Sequence, residues 1–115
     1  MKKYVLDANG LVIDRAAESA PKSEQIKLAR KWLRIHCRQR KTFNHSCTSY
    51  GLKHDVEAWA ESQPKIRDPY VSNGAFIAAA VAEGYRLTPV KGYSPFNCFI
   101  NFSLNRFVQK DSDNG

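Results

Sequence analysis

Three histidines and two cysteines lie close together in the middle of the chain and are the residues best suited to metal or acid–base chemistry. They are His36, Cys37, His45, Cys47 and His54. Zinc takes tetrahedral sets of Cys and His whose paired ligands are usually two to four residues apart. The spacing C-x7-H-x-C-x6-H does not match that pattern, and two adjacent residues of a helix face different directions. We therefore expect no metal site and no cofactor.

Cys47 could instead act as a nucleophile, with His45 or His54 as its base. The sequence supplies neither a third residue to orient that base nor an oxyanion hole. The glycine patterns of P-loops and of dinucleotide-binding turns are absent as well. We expect a non-enzymatic protein with no catalytic residues.

The most distinctive feature of the sequence is a basic stretch, Gln25 to Lys41, with the sequence QIKLARKWLRIHCRQRK. At about 100° per residue its bases form a stripe about 100° wide that contains no acid. The other side is mostly apolar and includes Trp32 and Leu33, as expected for a helix that packs on a core. The bases of the stripe are Lys27, Arg30, Lys31, Arg34, Arg38 and Lys41, and Arg40 and Lys53 would extend it.

The net charge of +7 is concentrated in this part of the chain. Residues 22–53 carry nine bases and one acid, a charge of +8, which leaves −1 for the remainder. Solvated helix faces usually mix signs, because like charges one turn apart repel each other. The unrelieved charge favours a surface for a polyanion such as DNA or RNA. A helix face that only keeps the protein soluble is the alternative.

Aromatic side chains among basic residues can stack on unpaired bases. Tyr93 and Phe96 lie in a predicted loop, and Phe99 is predicted to face outward from a strand. Alternatively, Phe96 and Phe99 cover one side of a small sheet. A basic amphipathic helix can also lie on anionic lipid, but here the apolar face is needed for the core, so we expect no membrane partner.

The periodicity of the chain predicts one α+β domain over residues 1–107 and a disordered tail over residues 108–115. An Asn9-Gly10 turn predicts an N-terminal hairpin. Three helices follow: the basic stretch with Ser23 as N-cap, a helix after Thr48 or Ser49, and an apolar helix from Ser72 to Gly84. An edge strand at 86–90 and a strand from Cys98 complete the pattern.

Three helices followed by a hairpin, which an N-terminal strand could join, have the outline of a winged helix with residues 91–96 as its wing. The third helix would then enter the major groove. Only Ser72 and Asn73 on that helix could read bases, so the basic first helix would carry the contact, mostly to phosphates.

Cellular location is constrained by what the sequence lacks. No apolar run is long enough to span a membrane, and the first residues lack the apolar stretch of a signal peptide. Three cysteines, an odd number, fit free thiols in a reducing environment. We expect a cytoplasmic protein.

The stretches SYGLKHDVEAWAE (49–61) and YVSNGAFIAAAVAEGYR (70–86) resemble small, uncharacterised phage and mobile-element proteins. The resemblance implies a phage or plasmid accessory protein acting inside a bacterium. Such proteins commonly bind nucleic acid or block a host nucleic-acid machine, including CRISPR effectors.

Two hypotheses follow. In the first, the protein binds nucleic acid phosphates through the basic stripe. In the second, it is a phage-type inhibitor or adaptor, for example an anti-CRISPR, whose stripe meets an acidic surface of a host protein complex.

Overall fold

The computed structural model describes residues 4–13, 16–17, 19–92 and 95–105, and these form an α+β fold. The elements are β1 (Tyr4–Asp7), β2 (Gly10–Ile13), α1 (Ser23–His36), β3 (Cys37–Asn44), α2 (Ser49–Glu61), α3 (Asn73–Ala82), β4 (Leu87–Pro89) and β5 (Cys98–Leu104). The first two strands form an antiparallel hairpin, and the other three form a sheet of order β3-β5-β4. The predicted α+β class is confirmed. The predicted tail, residues 108–115, lies outside the described residues.

The N-terminal hairpin turns one residue earlier than predicted. Asp7 pairs with Gly10 across the turn, so Ala8 and Asn9 are the loop residues. The carboxylate of Asp7 accepts a hydrogen bond from the backbone N–H of Asn9 at 2.9 Å. Gly10 has φ +138°, and a Cβ there would lie 2.5 Å from the carbonyl oxygen of Phe96. Glycine is therefore required by the start of β2 rather than by the turn itself.

The basic stretch is not one helix, which corrects the sequence prediction. α1 ends at His36, and Cys37 is extended, with φ −130° and ψ 159°. From Cys37 the chain pairs with β5 in the register Cys37↔Leu104. No glycine or proline marks this boundary, and the pairing partner lies more than sixty residues away. Sheet pairing overrides the helical pattern here, since tertiary context outweighs local propensity. The N-cap is Lys22 rather than Ser23, without a side-chain cap.

β3 carries a wide bulge opposite β5. Gln39 pairs with Phe102 and Asn44 with Ile100, so residues 40–43 of β3 face the single residue Asn101 of β5. The side chain of Asn101 fills this gap, and its Nδ2 donates to the carbonyl of Arg40 at 2.8 Å. Asn101 is 3% exposed, although the strand alternation places it outward. The bulge turns an outward position into a buried one.

α2 and β4 agree with the sequence predictions in type and differ slightly in extent. Thr48 is the N-cap of α2, and its Oγ1 accepts from the backbone N–H of Gly51 at 3.4 Å. β4 is shorter than the predicted 86–90 and carries Pro89 at the edge of its sheet, where a missing N–H is tolerated.

The strand that joins the C-terminal hairpin is β3, not an N-terminal strand as the winged-helix outline supposed. β1 and β2 form a separate sheet, which is connected to the rest by an isolated bridge between Leu11 and Phe96. The chain order is therefore helix, strand, helix, helix, strand, strand, with an additional hairpin at the N-terminus.

α3 is the centre of the core. Its residues Phe76, Ile77, Ala79 and Ala80 are at most 1% exposed. α1, α2 and the N-terminal hairpin all pack against it, as its almost wholly apolar sequence requires. Within the part of the chain that the structure describes, no helix combines the length and apolarity needed to cross a bilayer.

The N-terminus of α3 lies beneath the hairpin, so the two predicted base-reading residues are buried. The N–H of Gly74 donates to the carbonyl of Ala8 at 2.9 Å. Ser72, 6% exposed, caps the helix by accepting from Ala75. Asn73, 5% exposed, donates from Nδ2 to a carbonyl of the hairpin and to the side chain of Asn97. Neither side chain is available to a DNA groove.

Gly74→Ala is expected to destabilise the protein. A Cβ at this position would lie 1.9 Å from the carbonyl oxygen of Asp7, so the hairpin must shift, at a cost of about 1–3 kcal/mol typical of overpacking. Helix propensity alone predicts the opposite sign, a gain of up to about 1 kcal/mol. The free energy of unfolding in urea measures the difference. Ala78→Gly in the same helix is the control for propensity; a Gly74→Ala protein at least as stable as wild type would contradict the contact.

Candidate nucleic-acid interface

The first basic surface is the exposed side of α1, which we call the α1 basic face (Lys27, Arg30, Lys31 and Arg34). The opposite side of the helix buries Ala29, Trp32 and Leu33 in the core. This amphipathic division is as the sequence predicts for residues 23–36. The side chains of Lys27 and Arg34 are 74% and 62% exposed, whereas that of Arg30 is 37% exposed.

The acid Glu83 lies within the α1 basic face, and the sequence pattern of the stripe did not include it; a second acid, Glu24, lies 3.7 Å from Lys27. Glu83 follows the last residue of α3 and reaches two arginines of α1. Its Oε2 accepts from Arg30 Nε at 2.7 Å, and its Oε1 accepts from Arg34 Nε at 2.9 Å. The hydrogen bonds from Arg34 and Arg30, with their charges, hold the pKa of Glu83 below its ordinary value. The carboxylate is therefore ionised at neutral pH and fixes both guanidinium groups.

The second basic surface is formed by β3 and by one residue near β4, and we call it the β3 basic cluster (Arg38, Arg40, Lys41 and Arg86). All four side chains are exposed. The guanidinium of Arg40 donates to the carbonyls of Thr42 and Phe43 at 3.0 Å each, which stabilises the bulge. These bonds leave the positive charge at the surface.

Arg86 belongs to this cluster although sequence reasoning did not select it. Its Nη2 donates to the carbonyl oxygen of Lys41, and its guanidinium lies 5.1 Å from the ring centroid of Phe43. Its backbone N–H donates to Asn101 at 2.7 Å. No local pattern connects residue 86 to residue 41; only the pairing of β3 and β4 with β5 brings them together.

A hydrogen bond from Gln39 connects β3 to the end of α3 beside the α1 basic face. Gln39 of β3 donates from Nε2 to the carbonyl oxygen of Glu83 at 3.0 Å, and the carboxylate of the same residue holds the α1 arginines. The predicted stripe of one helix is thus divided between a helix face and a strand bulge. Arg38 and Arg40 alternate with Gln39 along β3 and line a separate pocket with Asp55 of α2.

Lys53 does not extend the basic surface. It is 6% exposed, and its Nζ lies 3.2 Å from Glu57 Oε2. The same ammonium lies 5.3 Å from the ring centroid of Tyr50 and 4.9 Å from that of Tyr70, within the range of cation–π attraction. Glu57 belongs to the same helix as Lys53, so this pair lies within α2.

Phe96 and Phe99, two of the three residues predicted to stack on nucleobases, pack against other side chains of the protein. Phe96 is partly buried and packs against the cluster of Leu11, Ile77 and Cys98. Phe99 is partly buried and meets His45 edge to face, with 4.7 Å between ring centroids. Tyr93 lies outside the described residues.

The histidines and cysteines of the central segment lie in different surroundings. The ring centroid of His36 lies 5.6 Å from that of Trp32 and 5.8 Å from that of Trp59. His45 contacts Phe99, and His54 Nδ1 lies 3.0 Å from Glu57 Oε1. Among the described residues, no group of three or more His, Cys, Asp or Glu is placed to hold a metal ion.

The surroundings of Cys37, Cys47 and Cys98 raise the pKa of each thiol. Burial raises the pKa of Cys37 and of Cys98 to about 12. Burial, with the nearby charge of Asp55, also raises the pKa of Cys47. A nucleophilic cysteine needs a lowered pKa, so these environments do not support thiolate chemistry.

Comparisons with models of protein families, with curated proteins and with solved structures found no match to this chain. No relative therefore assigns a role to the α1 basic face or to the β3 basic cluster.

We expect the stability of the protein to fall as the pH drops below about 6.5. Burial between two tryptophans lowers the pKa of His36 from its ordinary 6.5, and its Nε2 is buried without a hydrogen-bond partner among the described residues. The unfolded chain then binds a proton before the folded chain does, so the free energy of unfolding rises with pH in this window. His36→Phe should flatten this part of the profile, measured by urea unfolding. His45→Phe, a change at an exposed residue, is the control; identical profiles for wild type and His36→Phe would refute the assignment.

Proposed function

We propose that this protein is a small, non-enzymatic nucleic-acid-binding protein that contacts phosphates through the α1 basic face and the β3 basic cluster. The observation that carries the proposal is the exposure of eight basic residues on these two surfaces, seven of them exposed and Arg30 partly exposed. Such a surface suits a chain of phosphates, because each phosphate contact releases counterions and adds affinity.

The burial of α3 supports binding that depends little on sequence. A helix that reads bases must present polar side chains to a groove, and the N-terminal side chains of α3 are buried beneath the hairpin. Lysines and arginines on α1 and β3 are suited to phosphates, which position a protein on nucleic acid without specifying sequence.

We further propose that the α1–β5 region is a variant of the winged-helix arrangement. The order α1, β3, α2, α3, β4, β5, with β5 central in its sheet, supports this. The variant differs in the use of its third helix, which serves the core, so the charged outer surfaces carry the binding.

Lys31→Glu/Lys41→Glu is expected to weaken binding roughly tenfold or more and to reduce its salt dependence, since one phosphate contact on each surface is lost. If wild type neutralises about six phosphates of a duplex, the plot of log K against log salt has a slope of roughly −5. Loss of two contacts should make that slope shallower by about 2. Fluorescence anisotropy with a labelled duplex and with a labelled single strand over a salt series measures both quantities.

Lys65→Glu/Lys91→Glu is the matched control. It changes the net charge equally, at two exposed residues outside both basic surfaces. An equal loss in both variants would mean that net charge rather than a defined surface drives binding. Substitution of Arg30 or Arg34 by Glu is a poorer test, because it would place further carboxylates beside Glu83.

A phage-type inhibitor or adaptor is the second candidate, and two exposed tyrosines favour it. Tyr50 and Tyr70 are 49% and 51% exposed, and tyrosine is enriched in protein interfaces. This candidate predicts no binding to nucleic acid at low salt and a host protein that remains bound after nuclease treatment. The expected result for the first candidate is the reverse on both counts.

A further inference from the structure

A groove lies between the first turns of α1 and the segment that leads into α3. Its volume is about 670 Å³, within the range of roughly 300–1,000 Å³ typical of small-ligand sites. Four basic residues and one aromatic residue line it: Lys22, Lys27, Lys31, Arg67 and Tyr70. Two acids also line it and are outnumbered by the four basic residues: Glu24 lies 3.7 Å from Lys27, and Asp68 accepts from the backbone N–H of Tyr70 at 3.1 Å. We call this site the Tyr70 groove.

Tyr70 offers an exposed ring on a fixed support. Half of the residue is open to solvent, and one face of its ring is covered by the ammonium of Lys53, 4.9 Å from the centroid. Lys53 is itself buried and held by Glu57 at 3.2 Å. A ligand would therefore meet the other face of a ring whose position is already set, which lowers the entropy lost on binding.

The backbone on both sides of the groove is also tied down. The N–H of Val71 donates to Glu57 Oε2 at 3.1 Å, and the N–H of Ser72 donates to Gln25 Oε1 at 3.0 Å. Gln25 lies in the first turn of α1, so the second bond connects the two walls. The ring of Tyr70 and the lysines of α1 thus stand on supports that hydrogen bonds join to each other.

We infer that the Tyr70 groove binds an unpaired nucleotide of a single-stranded nucleic acid. The nucleobase of this nucleotide stacks on Tyr70, and the adjacent phosphates lie against Lys27, Lys31 and Arg67. The inference rests on the proposed function and specifies that the bound nucleic acid is single-stranded. Aromatic rings among cations suit single strands, since every unpaired base has a face that can stack. The bases of a duplex are already stacked on each other and cannot lie on a side chain without being extruded.

The Tyr70 groove is continuous with the α1 basic face, which is proposed to contact phosphates. Lys27 and Lys31 belong to the α1 basic face and also line the groove. A nucleic-acid strand that leaves the groove along α1 therefore meets further lysine and arginine side chains without crossing an uncharged region.

Tyr70→Ala tests this inference in the full-length protein. We expect affinity for a labelled oligothymidylate to fall roughly 5- to 150-fold, the loss of one stacked base. The salt slope should stay unchanged, because no phosphate contact is removed. Affinity for a duplex of the same length should change by less than about twofold. Tyr70→Phe, which keeps the aromatic face, should bind like wild type.

Tyr50→Ala is the matched control, because Tyr50 also contacts Lys53 and is equally exposed but does not line the groove. It should leave binding of the oligothymidylate unchanged. Tyr70→Leu retains apolar bulk over Lys53 and lacks an aromatic face. It replaces Tyr70→Ala if urea unfolding shows that the alanine variant is less stable.

Three results would overturn the inference. If Tyr70→Ala and Tyr70→Leu bind the oligothymidylate like wild type, the groove does not stack a base, although phosphate binding stands. Equal losses on the single strand and the duplex would also exclude stacking of an unpaired base. If wild type binds no nucleic acid and Tyr70→Ala instead releases a nuclease-resistant host protein, the groove is a protein interface and the proposed function fails with it.

Discussion

Burial of α3 is the constraint on which the rest of the structure depends. This helix has almost no polar surface, so other elements must cover most of it; its last two residues, Val81 and Ala82, are exposed. α1, α2 and the N-terminal hairpin pack around it, and Gly74 allows the hairpin to approach its first turn closely. Once α3 is enclosed, the side chains of its first two turns cannot take part in recognition. Any contact with a polyanion then depends on elements at the periphery.

The peripheral charges are arranged by tertiary contacts rather than by helix geometry alone. Glu83 emerges from the end of α3 and fixes Arg30 and Arg34, and its carbonyl receives Gln39 from β3. One residue thus connects the core helix to the α1 basic face and to β3. Because the acid lies within a majority of bases, it lowers the local charge and also restricts the conformations of two long side chains, whose ordering would otherwise oppose binding.

Lys53 illustrates how a charge can serve a function other than the one its sequence context suggests. It belongs to the basic segment, yet it is buried against Glu57 and between two tyrosine rings. A buried cation needs a paired acid to offset the loss of hydration, and Glu57 provides one. The consequence is a fixed position for Tyr70, an aromatic residue that the sequence patterns did not select, because it stands in an irregular segment.

The sequence by itself determined the α+β class, the three helices, the hairpin signals and the segment that carries the charge. These follow from local periodicity, capping residues and composition, as in Thr48 at the start of α2 and the alternation of β5. Only the tertiary structure decided that α1 ends at His36, because β5 pairs with residue 37 onward. It alone brought Glu83 and Arg86 to the basic surfaces and placed Lys53 and Asn73 in the interior. Local patterns cannot specify these features, because each depends on contacts between residues far apart in the chain.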